Sequence, residues 1–519
     1  MGIGTDVRMG MQQSHGPSTD AASEGLPGTT AAGSAAERRM ASYRKFSLEV
    51  FFVAAGQLLP RLKGLVMFPI VTKALGASEY GVFAQVWVTV GLVSPFALLG
   101  VNTGMRRFLP GLGDRHRQRG ELAAGLLLIL ANSLILTGAL YGFAPFLVDH
   151  FFGQADAVSL LRLASVLIPI SILNQVLLEC FVTFGRAKFL TILGLGRDVL
   201  EVALAIVYLL GGGGLFGLLL ITIGATLVSS VVALAMLARK VGLAKPLLRN
   251  LGPYLRVGFP LFVSGFGYWA IHSGGRYVIG YFMDARALGV YSGTFNLSMI
   301  IMAIAGPVYF VLLPTVSGLW ESNRMDDVRA YFHNSVKLFL SLGIPAAVGM
   351  SMLGGQVLEA LSTAEFVEGA VLVPLLAGSI VVYQSLGIAE YILTLARRTS
   401  YLPPITFGGA LINLLMAITL VPTLGLLGAA LANAAGYLFL AVVTWTVSRR
   451  FLKFKIEGMF LGKCLVASGT MAAVVWLAMH RASASVSASV VLGAAVYGAV
   501  LLGLRGWRLD QLRALLGRS

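Results

Sequence analysis

Charged residues are scarce in this sequence, and their scarcity decides the class of protein. Asp, Glu, Lys and Arg make up 12% of the 519 residues, whereas 57% are hydrophobic. A soluble domain carries about 25% charged residues, so an ordinary soluble protein is excluded. The composition, with a mean hydropathy of +0.82, predicts an all-α polytopic membrane protein.

Several features of enzymes and pumps are also missing. The two cysteines, Cys180 and Cys464, both fall inside apolar runs, which excludes a disulfide framework and a thiol metal site. The sequence has no GxxxxGK[ST] phosphate-binding loop, so the nucleotide-binding domain of an ABC exporter is excluded. Glycan polymerases and ligases need a large outer loop, and none is present. We therefore expect no enzyme activity, no catalytic residue, no cofactor and no metal.

Fourteen apolar runs are each long enough to cross a bilayer. They lie at 49–72, 81–103, 122–147, 158–185, 189–211, 214–238, 257–282, 288–313, 338–354, 369–394, 402–420, 425–447, 461–480 and 486–504. With the N-terminus in the cytoplasm, the inner segments hold 30 Lys and Arg and the outer loops hold 3. The positive-inside rule therefore predicts that both termini are cytoplasmic. The net charge of +16 follows mainly from this topology, and nucleic acid is not an expected partner.

The segment before the first run has a different composition. Residues 1–44 are rich in Gly, Ser, Ala and Thr and contain no apolar run. They cannot bury enough apolar surface to order themselves, which predicts a disordered cytoplasmic tail. The first 30 residues have no apolar core, so a secretory signal peptide is not expected.

Two short motifs recur at nearly the same distance along the chain. "ASEYGVF" at 77–83 matches "ARALGVY" at 285–291, an offset of 208. "ECFVTFGR" at 179–186 matches "EYILTLAR" at 390–397, an offset of 211. The two pairs stand at equivalent points of the run count, so runs 1–6 and 7–12 are predicted to be two copies of one six-helix unit. Because six is even, the copies are parallel and related by an axis along the membrane normal.

This repeat predicts the domain organisation. The two lobes cover 45–240 and 241–447, and residues 448–519 form a helix pair followed by an amphipathic segment on the inner surface. Two such lobes with a cleft between them are typical of transporters that work by alternating access.

Three stretches resemble a known family. They are "FPIVTKALGASEYGVFAQ" from Phe68, "RRFLP" from Arg106 and "GGRYVIGYFMDARALGVYS" from Gly274. They are similar to the polysaccharide biosynthesis proteins of the multidrug/oligosaccharidyl-lipid/polysaccharide (MOP) exporter superfamily, the O-antigen, capsule and exopolysaccharide flippases. The resemblance covers the chain from Lys45 to the last run, whereas the long segment before Lys45 departs from it.

The resemblance implies a function in surface polysaccharide biosynthesis. Proteins of this family are flippases of the cell (inner or plasma) membrane that move a polyprenyl-diphosphate-linked oligosaccharide from the cytoplasmic to the outer leaflet. The implied partners are this lipid-linked oligosaccharide, membrane lipids and, further, polysaccharide polymerases and glycosyltransferases. The resemblance does not indicate which glycan is carried.

The first run contains two basic residues, in "AAGQLLPRLKGLVMFPI". Arg61 and Lys63 would each cost about 2.5–3.5 kcal/mol at the centre of a span, while each Leu, Ile, Phe or Val returns about 0.3–0.6 kcal/mol. The helix therefore has to face protein, water or an anion there. At 100° per residue Gln57, Arg61 and Gly64 share one face, and Lys63 lies about 200° from Arg61. Pro60 predicts a kink that could still turn Lys63 inward.

Arg61 is the favoured ligand for the diphosphate, because a planar guanidinium matches phosphate oxygens. Gln57 extends its face, and the role of Lys63 stays open. The alternative is an ion pair between Arg61 and a carboxylate of another span. The candidate carboxylates are Glu179, Asp198, Glu201 and Glu390. Arg197 precedes Glu201 by four residues, a local pairing that could occupy this carboxylate.

The seventh run offers a second basic wall. Tyr268, His272 and Arg276 follow one another at four-residue spacing and are predicted to contact phosphate or sugar from the other lobe. Two alternatives remain: Arg276 extends to the outer interface, or His272 is only hydrogen-bonded within the bundle.

Basic residues ring the predicted inner ends of the runs. This ring consists of Arg106, Arg107, Arg186, Lys188, Arg397 and Arg398. It could collect the anionic headgroup at the inner mouth, although the positive-inside bias explains it equally well. Glu179 and Glu390 occupy equivalent repeat positions nearby, as an inner gate, a proton site or structural pairs with basic neighbours.

Two other functions fit the same composition. An H⁺- or Na⁺-coupled drug or metabolite antiporter of the same superfamily would place carboxylates at the centre of the membrane. The central ionisable residues of runs 1 and 7 are basic, with no Asp or Glu beside them in the sequence, which favours an anionic substrate. A non-transporting scaffold of a glycan assembly complex would need no charged cavity.

Overall fold

The computed structural model describes the backbone of residues 29–154, 157–242, 244–482 and 485–507. Side chains are described from residue 63 onward, except at 65, 187, 249, 260, 261, 307, 310, 311, 313 and 482. The chain divides into two compact units, Met1–Val50 and Phe51–Ser519. All the contacts and cavities reported for the site belong to the second unit.

Sixteen α-helices occur in the described residues, and no β-strand is among them. They are α1 Thr29–Leu98, α2 Val101–Phe108, α3 Arg115–Phe151, α4 Val158–Thr183, α5 Ala187–Leu210, α6 Leu215–Lys240, α7 Gly252–Phe282, α8 Ala285–Ser298, α9 Ile300–Glu321, α10 Met325–Leu361, α11 Val373–Gly387, α12 Glu390–Leu395, α13 Leu402–Leu424, α14 Leu426–Ser448, α15 Gly458–Ala482 and α16 Val486–Gly503. Four short 3₁₀ helices lie at Leu109–Gly111, Leu248–Asn250, Ala364–Leu372 and Thr399–Tyr401.

The predicted apolar runs coincide with helical backbone. Among the described residues, 11 helices are long and apolar enough to cross a membrane. The all-helical membrane architecture is therefore confirmed, while the count of fourteen spans and the cytoplasmic position of both termini stay predictions. Helix α1 begins at Thr29, inside the segment predicted to be disordered. Alanine is the strongest helix former, and the segment is rich in it, which accounts for the helix. Residues 1–28 and the amphipathic segment from 508 onward lie outside the described residues.

The helix assignment of α1 continues through Pro60, and the departure from helical geometry lies at Gly76. There φ is 78° and ψ is −176°, a conformation that glycine adopts without steric cost. The carboxylate of Glu365 accepts a hydrogen bond from the backbone N–H of Ala77 at 2.9 Å. This break separates the first predicted span from the second, and the carboxylate satisfies a backbone donor at the start of the new helical segment.

The two copies of the first repeated motif pack against each other. A Cβ built on Gly81 would lie 1.9 Å from the carbonyl oxygen of Ala285. A Cβ built on Gly289 would likewise lie 1.9 Å from the carbonyl oxygen of Ala77. The backbones therefore touch directly, which only glycine at both positions permits. The same two positions of each copy make the contact, as in a two-fold symmetric interface.

Buried apolar side chains form two main cores. The first runs from Met67 to Tyr254 and adds a few residues of later helices. The second runs from Ile271 to Trp507 and includes residues of α15 and α16, such as Cys464 and Tyr497. The last two helices therefore pack on the second core. The proposed division into lobes at 45–240, 241–447 and 448–519 stays a prediction.

Candidate functional site

A cavity of about 490 Å³ lies where the early helices meet α7 and α8. We call it the central cavity. Three basic residues and one carboxylate belong to its lining: Lys63, Arg197, Arg276 and Glu201. The remaining lining is mostly aromatic and aliphatic, from residues such as Trp87 and Trp269. We refer to the side formed by α1, α5 and α6 as the first wall and to the side formed by α7 and α8 as the second wall.

Lys63 is held at the first wall by two carboxylates of helix α5. Its Nζ lies 2.6 Å from Glu201 Oε2 and 3.8 Å from Asp198 Oδ1, and its side chain is 21% exposed. The helical wheel left the orientation of Lys63 undecided, and the structure places it in the cavity lining. A long flexible side chain can reach round its helix in this way. Its role in substrate binding stays a prediction.

The side chains of Gln57 and Arg61 lie outside the described residues. Gly64, which shares their predicted face, lines the central cavity. That position agrees with a helix face turned toward the cavity at this level. The assignment of Gln57 and Arg61 to substrate binding stays a prediction.

The local pairing of Arg197 with Glu201 is not formed. Arg197 Nη2 lies 2.7 Å from Asp198 Oδ1, and Arg197 Nη1 donates a hydrogen bond to Asn174 Oδ1 at 3.2 Å. Glu201 instead accepts a hydrogen bond from the Thr222 hydroxyl at 2.9 Å and pairs with the lysine of α1. Contacts with α1 and α6 replace the contact within α5, because the Glu201 side chain is turned toward those helices.

Carboxylates do lie beside the basic residues of the first wall in space, although none lies beside them in the sequence. Asp198 and Glu201 are both buried there, next to Lys63. The carboxylates come from α5, more than a hundred positions away in the chain, so neighbours in sequence could not reveal them. One Asp198 oxygen, Oδ2, is buried without a hydrogen-bond partner among the described residues.

Arg276 stands in the second wall without a carboxylate. It is only 7% exposed, and its Nε donates a hydrogen bond to the Ser292 hydroxyl at 3.1 Å. Its guanidinium carbon lies 4.9 Å from the centre of the Phe295 ring, a cation–π contact. Among the described residues no carboxylate forms an ion pair with it. Because α8 holds the guanidinium inside the protein, the alternative of an arginine extending to the interface is wrong.

The predicted wall of Tyr268, His272 and Arg276 divides in two. Tyr268 and His272 do not line the central cavity, whereas Trp269 and Ser273 do. The Tyr268 hydroxyl donates a hydrogen bond to Glu390 Oε2 at 2.5 Å. His272 Nδ1 lies 2.8 Å from the carbonyl oxygen of Tyr268, and its ring packs edge-on against two tyrosines. Positions four apart on a helix drift by 40° per step, so only the last of the three faces the cavity.

The two repeat-related carboxylates have different surroundings. Glu179 has the expected basic neighbour, since Arg106 Nε lies 3.9 Å away, and it also accepts a hydrogen bond from Asn102 at 3.0 Å. Glu390 lines a separate pocket of about 280 Å³ rich in tyrosine. Its described partner is Tyr268, and no described basic residue pairs with it. The expected basic pairing is thus wrong for Glu390, and the gate or proton role of both residues stays a prediction.

The other residues of the predicted inner ring lie at the protein surface. Arg107, Lys188, Arg397 and Arg398 are exposed, and Arg186 is half-buried. None of them lines the central cavity, whereas Arg106 lines a neighbouring one. Their role in collecting the substrate stays a prediction.

Two further cavities share lining residues with the central one, and a third shares lining residues with one of these two. A polar cavity of about 540 Å³ shares Trp87, Gly91 and Arg197 with it. An intermediate cavity of about 350 Å³ shares Gly64, Phe68 and Asn296 with it. The intermediate cavity in turn shares Leu297 and Ile300 with an apolar groove of about 490 Å³ formed by α10, α15 and α16.

Several residues of the central cavity were not among the predicted site residues. Asn296 donates a hydrogen bond to the Tyr80 hydroxyl at 3.0 Å, and both line the cavity. Trp87 and Trp269 line it as well. Their signal was available, since tryptophan in membrane proteins concentrates at the interfaces and these two fall inside predicted spans.

A sequence model of the polysaccharide biosynthesis protein family matches residues 48–320. The chain belongs to this family. A second model, that of the lipid II flippase MurJ, matches residues 291–495. The resemblance noted in the sequence is thereby confirmed.

Two relatives of this chain come from Haloferax volcanii. A protein described as a probable low-salt glycan biosynthesis flippase is 24% identical over 408 residues, which is 78% of this chain and 84% of that protein. The probable flippase AglR is 23% identical over 250 residues, which is 47% of this chain and 52% of AglR. The chain therefore matches about half the length of AglR.

A solved structure shares the fold. The lipid II flippase MurJ, in an inward closed conformation, superposes with a TM-score of 0.73 at 13% identity, over 88% of this chain and 99% of that chain. The chain is thus a multi-pass protein of the cell membrane with the MurJ fold. The two relatives from Haloferax volcanii are both described as probable flippases.

Proposed function

We propose that this protein is a flippase that moves a polyprenyl-diphosphate-linked oligosaccharide from the cytoplasmic to the outer leaflet by alternating access. The observation that carries the proposal is Arg276, a buried arginine without a carboxylate, in the wall of a cavity that leads to an apolar groove. The names of the relatives, all of them flippases, support the same activity.

The charge of Arg276 requires an anion. Removing a cation from water costs several kcal/mol, and a protein normally offsets this with a paired carboxylate. A hydroxyl and a phenyl ring, Ser292 and Phe295, are weaker partners. A guanidinium in this state suits a phosphate, whose oxygens match its planar array of donors. We assign Arg276 as the anchor of the substrate diphosphate.

The first wall adds positive charge that is already balanced in part. Lys63 and Arg197 each have a carboxylate partner at 2.6–2.7 Å. Three cations, Lys63, Arg197 and Arg276, face the two carboxylates Glu201 and Asp198, which leaves one net positive charge and favours an anionic substrate. A cation-transporting antiporter would need a free carboxylate there, and Glu201 is occupied by Lys63 and Thr222.

The adjoining cavities supply a route for a lipid tail. The intermediate cavity leads from Gly64 and Phe68 to Leu297 and Ile300. The groove beyond it is lined almost entirely by apolar side chains, from Leu342 and Met350 of α10 to Met471 of α15. An isoprenoid chain could lie in this groove while its diphosphate stays at Arg276. This arrangement favours a lipid-linked substrate over a free one.

Alternating access requires the contacts between the two repeated motifs to open. Gly81 and Gly289 pack backbone to backbone, and Glu365 bonds to the N–H of Ala77. Arg286 adds an ion pair to Glu368 at 3.0 Å. We assign these contacts to the closed outer side of the transporter, in keeping with the predicted topology.

Transport by the purified protein tests the proposal. Proteoliposomes would contain a polyprenyl-diphosphate-linked oligosaccharide labelled on the sugar, and an impermeant quencher outside would report its leaflet. We expect protein-dependent movement between leaflets, faster than in protein-free liposomes. A folded protein that leaves the rate unchanged would favour the scaffold hypothesis and contradict ours. Vesicles with a single labelled leaflet, in which protein orientation is mapped by protease, would give the direction.

A further inference from the structure

The polar cavity differs from the central cavity in its chemistry. Each charge in its lining has an opposite partner, since Arg106 lies near Glu179 and Arg197 pairs with Asp198. Its other polar groups are amides and hydroxyls, including Asn174, Gln175, Ser94 and Ser171. Such a lining does not concentrate anions, but it offers hydrogen bonds to uncharged hydroxyl groups.

The entrance of the polar cavity is aromatic. Trp87 lines both the polar and the central cavity. Trp269 lies against Gly91, where a Cβ would come within 3.3 Å of the indole Nε1. That Nε1 is buried and has no hydrogen-bond partner among the described residues. A buried donor without an acceptor is costly, so a ligand that supplies an acceptor would be favoured here.

A lipid-linked oligosaccharide has two chains that must leave the diphosphate in different directions. The exit toward the apolar groove is lined by Gly64 and Phe68, and the exit toward the polar cavity by Trp87 and Gly91. The two exits share no residue. With the lipid tail in the first exit, the glycan has the second available.

We infer that the polar cavity is a glycan subsite, in which the sugar next to the diphosphate packs on Trp87, which lines both cavities. Sugars further out bond to the amides and hydroxyls of α4, among them Gln175 and Ser171. The apolar face of a sugar ring suits an indole, and its hydroxyls suit the side-chain acceptors. The cavity volume, about 540 Å³, falls in the range of about 300–1,000 Å³ of ligand pockets. This inference rests on the proposed function.

Binding of two lipid carriers would distinguish the glycan subsite from the diphosphate site. One is decaprenyl diphosphate, and the other is decaprenyl diphosphate bearing an N-acetylglucosamine disaccharide. Their dissociation constants would be measured by titration into nanodiscs, with bound carrier read by native mass spectrometry. For the unaltered protein we expect the glycosylated carrier to bind about tenfold more tightly, as a few added hydrogen bonds provide.

Trp87→Leu should abolish this tenfold preference and also weaken the bare carrier, because Trp87 lines the central cavity as well. Gln175→Leu, at a residue that lines only the polar cavity, should abolish the preference and leave the affinity for bare decaprenyl diphosphate unchanged. That retained affinity also shows that the variant is folded. Trp476→Leu is the matched control, because Trp476 is half exposed on α15, away from both cavities. Arg276→Gln should weaken both carriers equally.

Two results would overturn the inference. One is equal affinity of the unaltered protein for the two carriers, and the other is an unchanged preference in both cavity variants. Failure of both carriers to bind the unaltered protein would instead contradict the proposed function, and the inference with it.

Discussion

The two walls of the central cavity handle their charges differently. In the first wall, Lys63 and Arg197 each pair with a carboxylate of α5. In the second wall, Arg276 has a hydroxyl and an aromatic ring as its partners. In contrast, the two repeated motifs make a reciprocal contact through equivalent glycines, Gly81 and Gly289. The repeat therefore explains how the helices pack, and the difference in charge pairing between the walls explains where an anion can bind.

The difference decides which cation is available to a ligand. A phosphate that approaches Lys63 competes with Glu201, whose carboxylate is already 2.6 Å away. A phosphate that approaches Arg276 displaces no anion. Binding energy at a paired cation is largely spent on replacing the existing partner, whereas an unpaired one contributes in full.

The largest effect is expected from Arg276→Gln, which removes the unpaired cation. We expect the initial rate of flipping in proteoliposomes to fall about 10- to 150-fold, since a bond to a charged group is worth about 1.5–3 kcal/mol and about 1.4 kcal/mol is a tenfold change. Arg276→Lys should retain an intermediate rate, because the charge stays and the planar geometry is lost. Arg329→Gln, at an exposed arginine of α10, is the control. A normal rate in a folded Arg276→Gln protein would remove the contrast between the walls.

Loss of the paired cation Lys63 should affect mainly the stability of the protein, whereas loss of Arg276 should affect mainly its transport rate. Lys63→Gln or Glu201→Gln leaves one buried partner uncompensated, which costs about 3–5 kcal/mol for a fully buried pair. The 21% exposure of Lys63 lowers the expected loss of stability to the lower part of that range or less. The double variant should recover much of the loss in thermal midpoint. If Lys63→Gln instead stopped transport at unchanged stability, Lys63 would be a second anchor and the walls would be alike.

The glycine contact tests the equality of the two motifs. Gly81→Ala and Gly289→Ala should destabilise the protein by similar amounts, about 1–3 kcal/mol each, because a methyl group would overlap a backbone carbonyl. Gly138→Ala is the control, since a Cβ there has nothing within 4 Å. Thermal unfolding in detergent measures all three. Clearly unequal losses at the two motif positions would contradict the reciprocal contact.

The smallest effect is expected at the carboxylate that has no basic partner. Glu390→Gln should change the free energy of unfolding by less than about 1 kcal/mol, because a glutamine carbonyl can still accept the hydrogen bond of Tyr268. Glu201→Gln, in the same thermal unfolding assay, provides the comparison. A loss at Glu390 as large as that at Glu201 would indicate an ionic partner for Glu390 and weaken the contrast between paired and unpaired groups.

Particular residues show how far sequence reasoning extends. The repeated motif at 77–83 and 285–291 was found from the sequence, and the structure brings its two copies into contact. Helical periodicity puts Arg276, His272 and Tyr268 on one face, and of the three only Arg276 lines the central cavity in the structure. Periodicity predicts relative directions on one helix. It does not predict how the helix is rotated against its neighbours.

Partner choice was the least predictable feature. Arg197 could have paired with Glu201, because the two are four residues apart, and it pairs with Asp198 instead. Glu201 instead forms an ion pair with Lys63, which lies on another helix. Local spacing contributes only about 0.2–0.5 kcal/mol to such a pair, so a well-placed group on a neighbouring helix readily outweighs it.

Composition, apolar runs and motifs by themselves determined that this is a helical membrane protein of the polysaccharide biosynthesis family, because the bilayer demands long apolar helices whatever their packing. Only the tertiary structure decided which charges are neutralised and which remain available in the cavity. The reason is that the energy of a buried charge depends on the groups within a few ångströms of it, and in this protein those groups come from helices far apart in the chain.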